Sequence, residues 1–258
     1  MTAPQGAQRP LGAQEGRAAD GSPREAERPL GAQQARAADE SSRGGKRPQA
    51  RPADALERLW PGLWRPLAGQ RVALEPLSPE HEAGLFAVAA HPEVWRWICP
   101  YPAGTAACFH DWMEDALGLA RRGEEAPFAT IDVRTGQPIG STRYLTLRPQ
   151  DRGLEIGWTW LTPSAWRTGA NLEAKLLLMT HAFEELGCMR VEFKTHARNE
   201  RSRAALAALP AQFEGIWRKH RLIPEIGIRD SAFYSVIDDE WPAVRANLER
   251  RLSVDAAA

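Results

Sequence analysis

The first 59 residues contain no Phe, Trp, Tyr, Val or Ile. They are dominated by Ala, Gly, Arg, Gln, Glu and Pro, and such a segment cannot bury enough apolar surface to offset the entropy of ordering it. A disordered tail over residues 1–59 is therefore expected. Its Arg9-Pro10-Leu11-Gly12-Ala13-Gln14 and Arg17-Ala18-Ala19-Asp20 return as Arg28-Pro29-Leu30-Gly31-Ala32-Gln33 and Arg36-Ala37-Ala38-Asp39. Two copies of a polar unit do not make a solenoid, which needs about three with a face to bury. Nine basic residues stand against seven acidic ones through Asp54, which argues against a nucleic-acid-binding arm.

Other absences narrow the rest of the chain. There is no apolar run of about 18 residues and no charged-then-apolar leader, so neither a membrane span nor export is expected. Formal net charge is zero, which gives no support to a nucleic-acid partner. Cysteine is scarce: Cys99, Cys108 and Cys188 lack metal-ligand spacing and have no neighbouring His and acid. They read as reduced thiols of a cytoplasmic protein without a metal.

Apolar content begins at Trp60, and residues 60–252 suffice for one domain, with 253–258 a second disordered end. Residues 71–77 alternate as a short edge strand closed by Pro76. Ser78-Pro79-Glu80 opens a helix that runs to His91-Pro92. Phe109, Trp112, Met113, Ala116, Leu117 and Ala120 lie at helical spacing between Thr105 and Arg122, and Gly123 ends that helix. Three strands follow, 128–133, 139–147 and 154–161, joined by short turns as an antiparallel meander. A long helix over 170–186 carries Leu172, Leu176, Met179, Phe183 and Leu186 as its stripe. Residues 189–196 alternate as the next strand, and Asn199 caps a short helix to Leu209. Strands over 213–222 and 232–237 and a helix over 240–252 complete an α/β fold on a mixed sheet.

Two junctions point to chemistry. Trp166-Arg167-Thr168-Gly169-Ala170-Asn171 follows a strand and opens the long helix. A small-residue turn there leaves backbone N–H groups unpaired at the positive end of a helix dipole, a site suited to pyrophosphate. Thr195-His196-Ala197-Arg198-Asn199-Glu200-Arg201-Ser202 is a second strand end leading into a helix. Together they favour an acyl-coenzyme A transferase. An ordinary strand-to-helix turn is the plainer alternative for the first junction.

The sequence here resembles the GNAT family of N-acetyltransferases, and within it the Rim-type branch that acetylates ribosomal-protein amino termini. The resemblance covers about residues 69–240. It rests on Leu154-Glu155-Ile156-Gly157-Trp158, Trp166 through Ala174, His181-Ala182-Phe183-Glu184-Glu185-Leu186-Gly187-Cys188, and Asn199-Glu200-Arg201-Ser202. It implies a GNAT-type mixed, mostly antiparallel central sheet flanked by helices, with acetyl-CoA as co-substrate and no metal. The pyrophosphate would lie on the amides of Arg167, Thr168, Gly169, Ala170 and Asn171. Pantetheine would pair with the splayed strand around Trp160 and Leu161, where an N–H would polarise the thioester carbonyl. Glu155 matches an acid that takes the amine's proton, with His196 as the alternative base. Asn199 matches a contact to the pantetheine arm, beside its capping role. Leu206 stands where many relatives have a Tyr acid, leaving Ser202 as substitute proton donor or simple cap. Pro210 replaces the usual glycine after Leu209. The implied reaction is direct attack by a primary amine, on a protein N-terminus or a small molecule, in a ternary complex. A non-catalytic acyl-CoA binder and a protein interacting through its tail are the rival readings. The sequence leaves the acceptor and the oligomeric state open.

Overall fold

The computed structural model describes residues 52–98, 104–223 and 227–257. The expected disorder of residues 1–51, and Cys99, lie outside them. Eight strands form one sheet in the order β1-β2-β3-β4-β5-β6-β8-β7. The strands are β1 Leu67–Ala68, β2 Val72–Pro76, β3 Ala126–Asp132, β4 Gln137–Arg148, β5 Gly153–Leu161, β6 Arg190–His196, β7 Gln212–Ile223 and β8 Gly227–Ile237. Every neighbouring pair is antiparallel except β5 with β6. A parallel joint needs a crossover, and α5, Ala170–Thr180, supplies it.

Helices cover both faces. On one side α5 packs with α7, Trp241–Ala257, and Leu56 of α1, Pro52–Leu59, joins the same core. Their core includes Tyr144, Leu154, Ile156, Leu178, Val191, Phe193 and Leu248. The other face, beside β3 and the end of β5, is covered by α2, Glu82–Ala89, α3, Pro92–Trp95, and α4, Ala106–Arg122. Thr105 Oγ1 accepts the Cys108 N–H at the start of α4. Gly123 closes that helix in the left-handed conformation, as a missing Cβ allows.

The domain is longer at both ends than composition implied. Residues 52–59, expected within the tail, form α1, and Leu56 is only 1% exposed. Eight residues with two leucines carry too little periodicity to register, and tertiary packing supplies the stability instead. The 253–258 end is likewise helical through Ala257 as a continuation of α7. The face of α5 also differs from the expected stripe: Ala174, Lys175, Leu178 and Met179 are buried, while Leu172 and Leu176 are only partly so. Three successive leucines, 176–178, made the helical phase ambiguous. After Thr180 the helix widens into a π turn over His181–Glu185, a common device for re-aiming side chains.

Candidate active site

The parallel joint between β5 and β6 is short. Only Gly153, Leu154 and Glu155 pair with Arg190, Val191 and Glu192. Beyond Glu155 the two strands separate, β6 continuing along β8 and β5 along β4. The divergence has a local cause. Between the pairs Ser141↔Trp160 and Arg143↔Gly157, β5 carries an extra residue, and Trp158 there stands at φ 49°. Such a bulge bends its strand and leaves backbone groups on the far side unpaired. Trp160 and Leu161 thus pair only with β4. The Leu161 carbonyl accepts the Trp166 indole N–H at 2.8 Å, and the Trp160 ring is buried against Trp95 and Trp112.

At the end of β5 the chain makes the turn expected to face phosphate. Arg167 stands at φ 64° and Gly169 at φ 83°, as the N-cap of α5. Thr168 Oγ1 donates to the Ala165 carbonyl and lies 3.4 Å from the Ala170 N–H. Among the described residues the N–H groups of Arg167, Thr168, Gly169, Asn171 and Leu172 have no protein partner. A side chain at Gly169 would press on Arg71, 3.3 Å from a built Cβ. Arg71 was missed by sequence reasoning, because a residue just before a short strand (β2, expected at the edge but flanked by β1 and β3) carries no signal of a contact made 97 positions later; its Nη1 donates to the Thr168 carbonyl. The carboxylate of Glu173 holds this arrangement from inside, accepting the N–H groups of Gln70, Arg71 and Val72. Arg201 brings a second cation, its guanidinium 4.0 Å from the centre of the Trp166 ring.

Glu155 lies at the vertex of the divergence. It is 4% exposed, its Oε2 accepting Lys194 Nζ at 2.8 Å and the Thr146 hydroxyl at 3.2 Å. Cross-strand register puts Glu155 on the same sheet face as Arg143 and Gly157, opposite the face held by α5. On that face the Arg143 guanidinium lies between the rings of Trp112 and Trp158, and its Nη1 binds Glu125. Trp158 thus packs on Arg143, while Trp160 is buried beneath Trp95 and Trp112.

Asn199 and Ser202 meet at the start of α6, Glu200–Ala208. The Asn199 Oδ1 accepts the Ser202 N–H and its Nδ2 donates to Thr195 Oγ1, so the capping role is present and both ends of the amide are engaged. The Ser202 hydroxyl has no partner among the described residues. Leu206 is buried, and Pro210 occupies the glycine-type turn at φ 29°. His196 stacks near Trp97, and burial lowers its pKa. Burial also pushes the Cys188 thiol up to about 12, which removes it as a nucleophile. No group of His, Cys, Asp and Glu suited to a metal occurs among the described residues. None of their helices is long and apolar enough to cross a membrane.

The family description "Acetyltransferase (GNAT) domain" matches residues 71–211. The chain belongs to the GNAT acetyltransferases. Among the relatives of this GNAT N-acetyltransferase is the FsC-acetyl coenzyme A-N(2)-transacetylase of Aspergillus fumigatus, 28% identical over 180 residues, 66% of this chain and 75% of that one. A GCN5-related N-acetyltransferase structure from Brucella melitensis is 31% identical, covering 72% of this chain and 85% of the other at a TM-score of 0.68. Mycobacterium smegmatis RimJ, solved with CoA-disulfide, is 21% identical over 72% of this chain and 92% of its own, and shares the fold at a TM-score of 0.60.

Proposed function

We propose that this acetyltransferase moves the acetyl group of acetyl-CoA to a primary amine by direct attack in a ternary complex. The observation that carries this is the unpaired turn before α5 opening onto the β5/β6 divergence. The turn offers five N–H groups at a helix N-terminus, with Arg71 and Arg201 beside it. Such an array suits pyrophosphate. The pantetheine arm follows the diverging strands, where the free edge of Trp160 and Leu161 supplies hydrogen bonds. Asn199 lies at the other flank of that path.

The acceptor amine approaches from the face on which Glu155 opens, beside Arg143 and the tryptophans. Amines are mostly protonated near neutral pH, so a base must act before attack, and Glu155 is the carboxylate at the vertex. Ser202, in the first turn of α6, is a hydroxyl able to pass a proton. A peptide amino terminus of the Rim type and a small amine both fit this chemistry. The Aspergillus relative is named as an acetyl coenzyme A-N(2)-transacetylase, which supports transfer of acetyl to nitrogen. The chain acts in the cytoplasm on this reading.

Mass-spectrometric detection of acetylated products across a panel of small amines and short peptides tests the proposal. Calorimetric titration with CoA accompanies it. Transfer to at least one amine, with CoA binding in the micromolar range or tighter, is expected. Binding without transfer to any amine or peptide would favour the non-catalytic reading.

A further inference from the structure

Lys175 is the buried charged group that this scheme does not use. It projects from α5 toward the sheet and is 7% exposed. Its Nζ donates to Thr159 Oγ1 of β5 at 2.8 Å and stands 5.6 Å from the ring centre of Phe193 on β6. One atom therefore touches both flanks of the divergence, and a molecule lying between the strands lies against it. An ammonium group has three N–H donors. Thr159 takes one, and among the described residues the other close neighbour is the face of Phe193.

We propose that Lys175 is the general acid of this reaction, giving the proton that the departing coenzyme A sulfur requires. The proposal rests on the acetyl-CoA reading above. The amine nitrogen bonds to the thioester carbonyl carbon, and the C–S bond breaks with its electron pair passing to sulfur. Lys175 Nζ gives that sulfur a proton while Glu155 takes the proton lost by the amine. Solvent then takes the proton from Glu155 and restores the one given by Lys175, so nothing besides amine and thioester is consumed.

Position and acidity favour Lys175 over Ser202, its Nζ standing between Thr159 of β5 and Phe193 of β6. An alcohol cannot supply a proton near neutral pH without an acid behind it, whereas an ammonium group can. Burial pulls Lys175 down to about 7, opposed by the charge of Glu155, which matches an acid to this task. The other ionisable groups nearby are engaged elsewhere. Lys194 of β6 binds Glu155, Tyr144 of β4 binds His181, and Arg203 of α6 binds Tyr234 of β8. The same network has a positional side: Thr159 also meets Thr142 Oγ1 at 2.8 Å, which ties the residue after the bulge to β4.

The experiment compares wild type with Lys175→Met, Lys175→Arg and Ser202→Ala, using the best acceptor from the panel and a pH range of about 6 to 9.5. Acetyl-CoA is one donor and 4-nitrophenyl acetate, whose leaving group needs no proton, is the other. In wild type kcat with acetyl-CoA should fall on the alkaline side as Lys175 loses its proton. Lys175→Met should lose that limb and fall roughly 10²-fold or more with acetyl-CoA, and only a fewfold with the ester. Lys175→Arg, whose cation does not dissociate in this range, should lose the limb as well. Calorimetric CoA affinity within about threefold of wild type establishes that each variant is folded. An unchanged alkaline limb in folded Lys175→Met, or equal losses with both donors, would overturn the assignment. So would the donor-dependent loss appearing in Ser202→Ala instead. A wild type that binds no CoA and transfers nothing sinks the acetyl-CoA reading itself, whatever the variants do.

Discussion

Replacing Glu155 by Gln keeps the shape of the side chain and its bond from Thr146, and removes both the base and the partner of Lys194. Two losses with different sizes and readouts follow. The structural one is the ammonium of Lys194 left without its carboxylate. That side chain is 18% exposed, so water compensates part of it, and a cost of about 1–3 kcal/mol is expected rather than the full toll of a buried pair. The chemical one is the loss of general-base catalysis, roughly 10²–10⁴-fold in kcat/KM, which corresponds to about 2.7–5.4 kcal/mol of transition-state stabilisation. Lys194→Met separates them. It breaks the same ion pair but leaves the carboxylate, so it should lose comparable stability while keeping kcat/KM within about tenfold. Thiol release at saturating acetyl-CoA measures the rates, and thermal melts measure the stability. CoA affinity should stay near wild type in both variants, because the phosphate-facing turn lies elsewhere. If Glu155→Gln retains more than about a tenth of the wild-type kcat/KM, or Lys194→Met loses as much, Glu155 is a structural carboxylate and His196 becomes the base to test.

Gly169→Ala should weaken CoA binding and lower stability together, since its φ of 83° costs a Cβ-bearing residue about 1–2 kcal/mol and the new methyl presses on Arg71; calorimetry with unchanged affinity would refute the placement of the pyrophosphate. Removing residues 1–51 should leave the melting temperature unchanged. Removing 1–59 should cost roughly 2–4 kcal/mol, because it takes out Leu56 and with it α1, and equal melts for the two truncations would show that α1 contributes nothing. Burial pulls His181 down to about 4 from its ordinary 6.5. The unfolded chain therefore binds the extra proton, and stability is complete above pH about 6.5. It should be lost by about 3 kcal/mol as the pH falls to about 4. His181→Gln should flatten that slope in urea titrations run across the same range.

The regular elements were legible because their periodicities were undisturbed. The alternation of Arg190–His196 and the apolar spacing in Ala106–Arg122 locate β6 and α4 within two residues. The two-residue β1 and the four-residue α3 were not, since neither is long enough to show a period. The turn at Gly169 that opens α5 was readable from its small residues alone. The bulge at Trp158 was not, because a tryptophan at positive φ is dictated by the sheet around it rather than by its own preference. Lys175 left one trace: it falls beside Leu172, Leu176 and Met179 on a helix whose other lysines and arginines are absent, a charge within an apolar neighbourhood.

The joint between β5 and β6 has a mechanical consequence. Three residue pairs weld an antiparallel leaf of five strands to one of three, and beyond that weld the leaves share no backbone rungs. Amide protons facing the seam exchange by parting the leaves, without unravelling either one. An acyl donor lodged along the seam acts as a set of removable rungs, lending each leaf the partners it lacks. On the proposed placement occupancy would stiffen the whole sheet by the linkage between binding and folding, and product release would return the leaves to their three backbone pairs, the Glu155–Lys194 ion pair and the shared core.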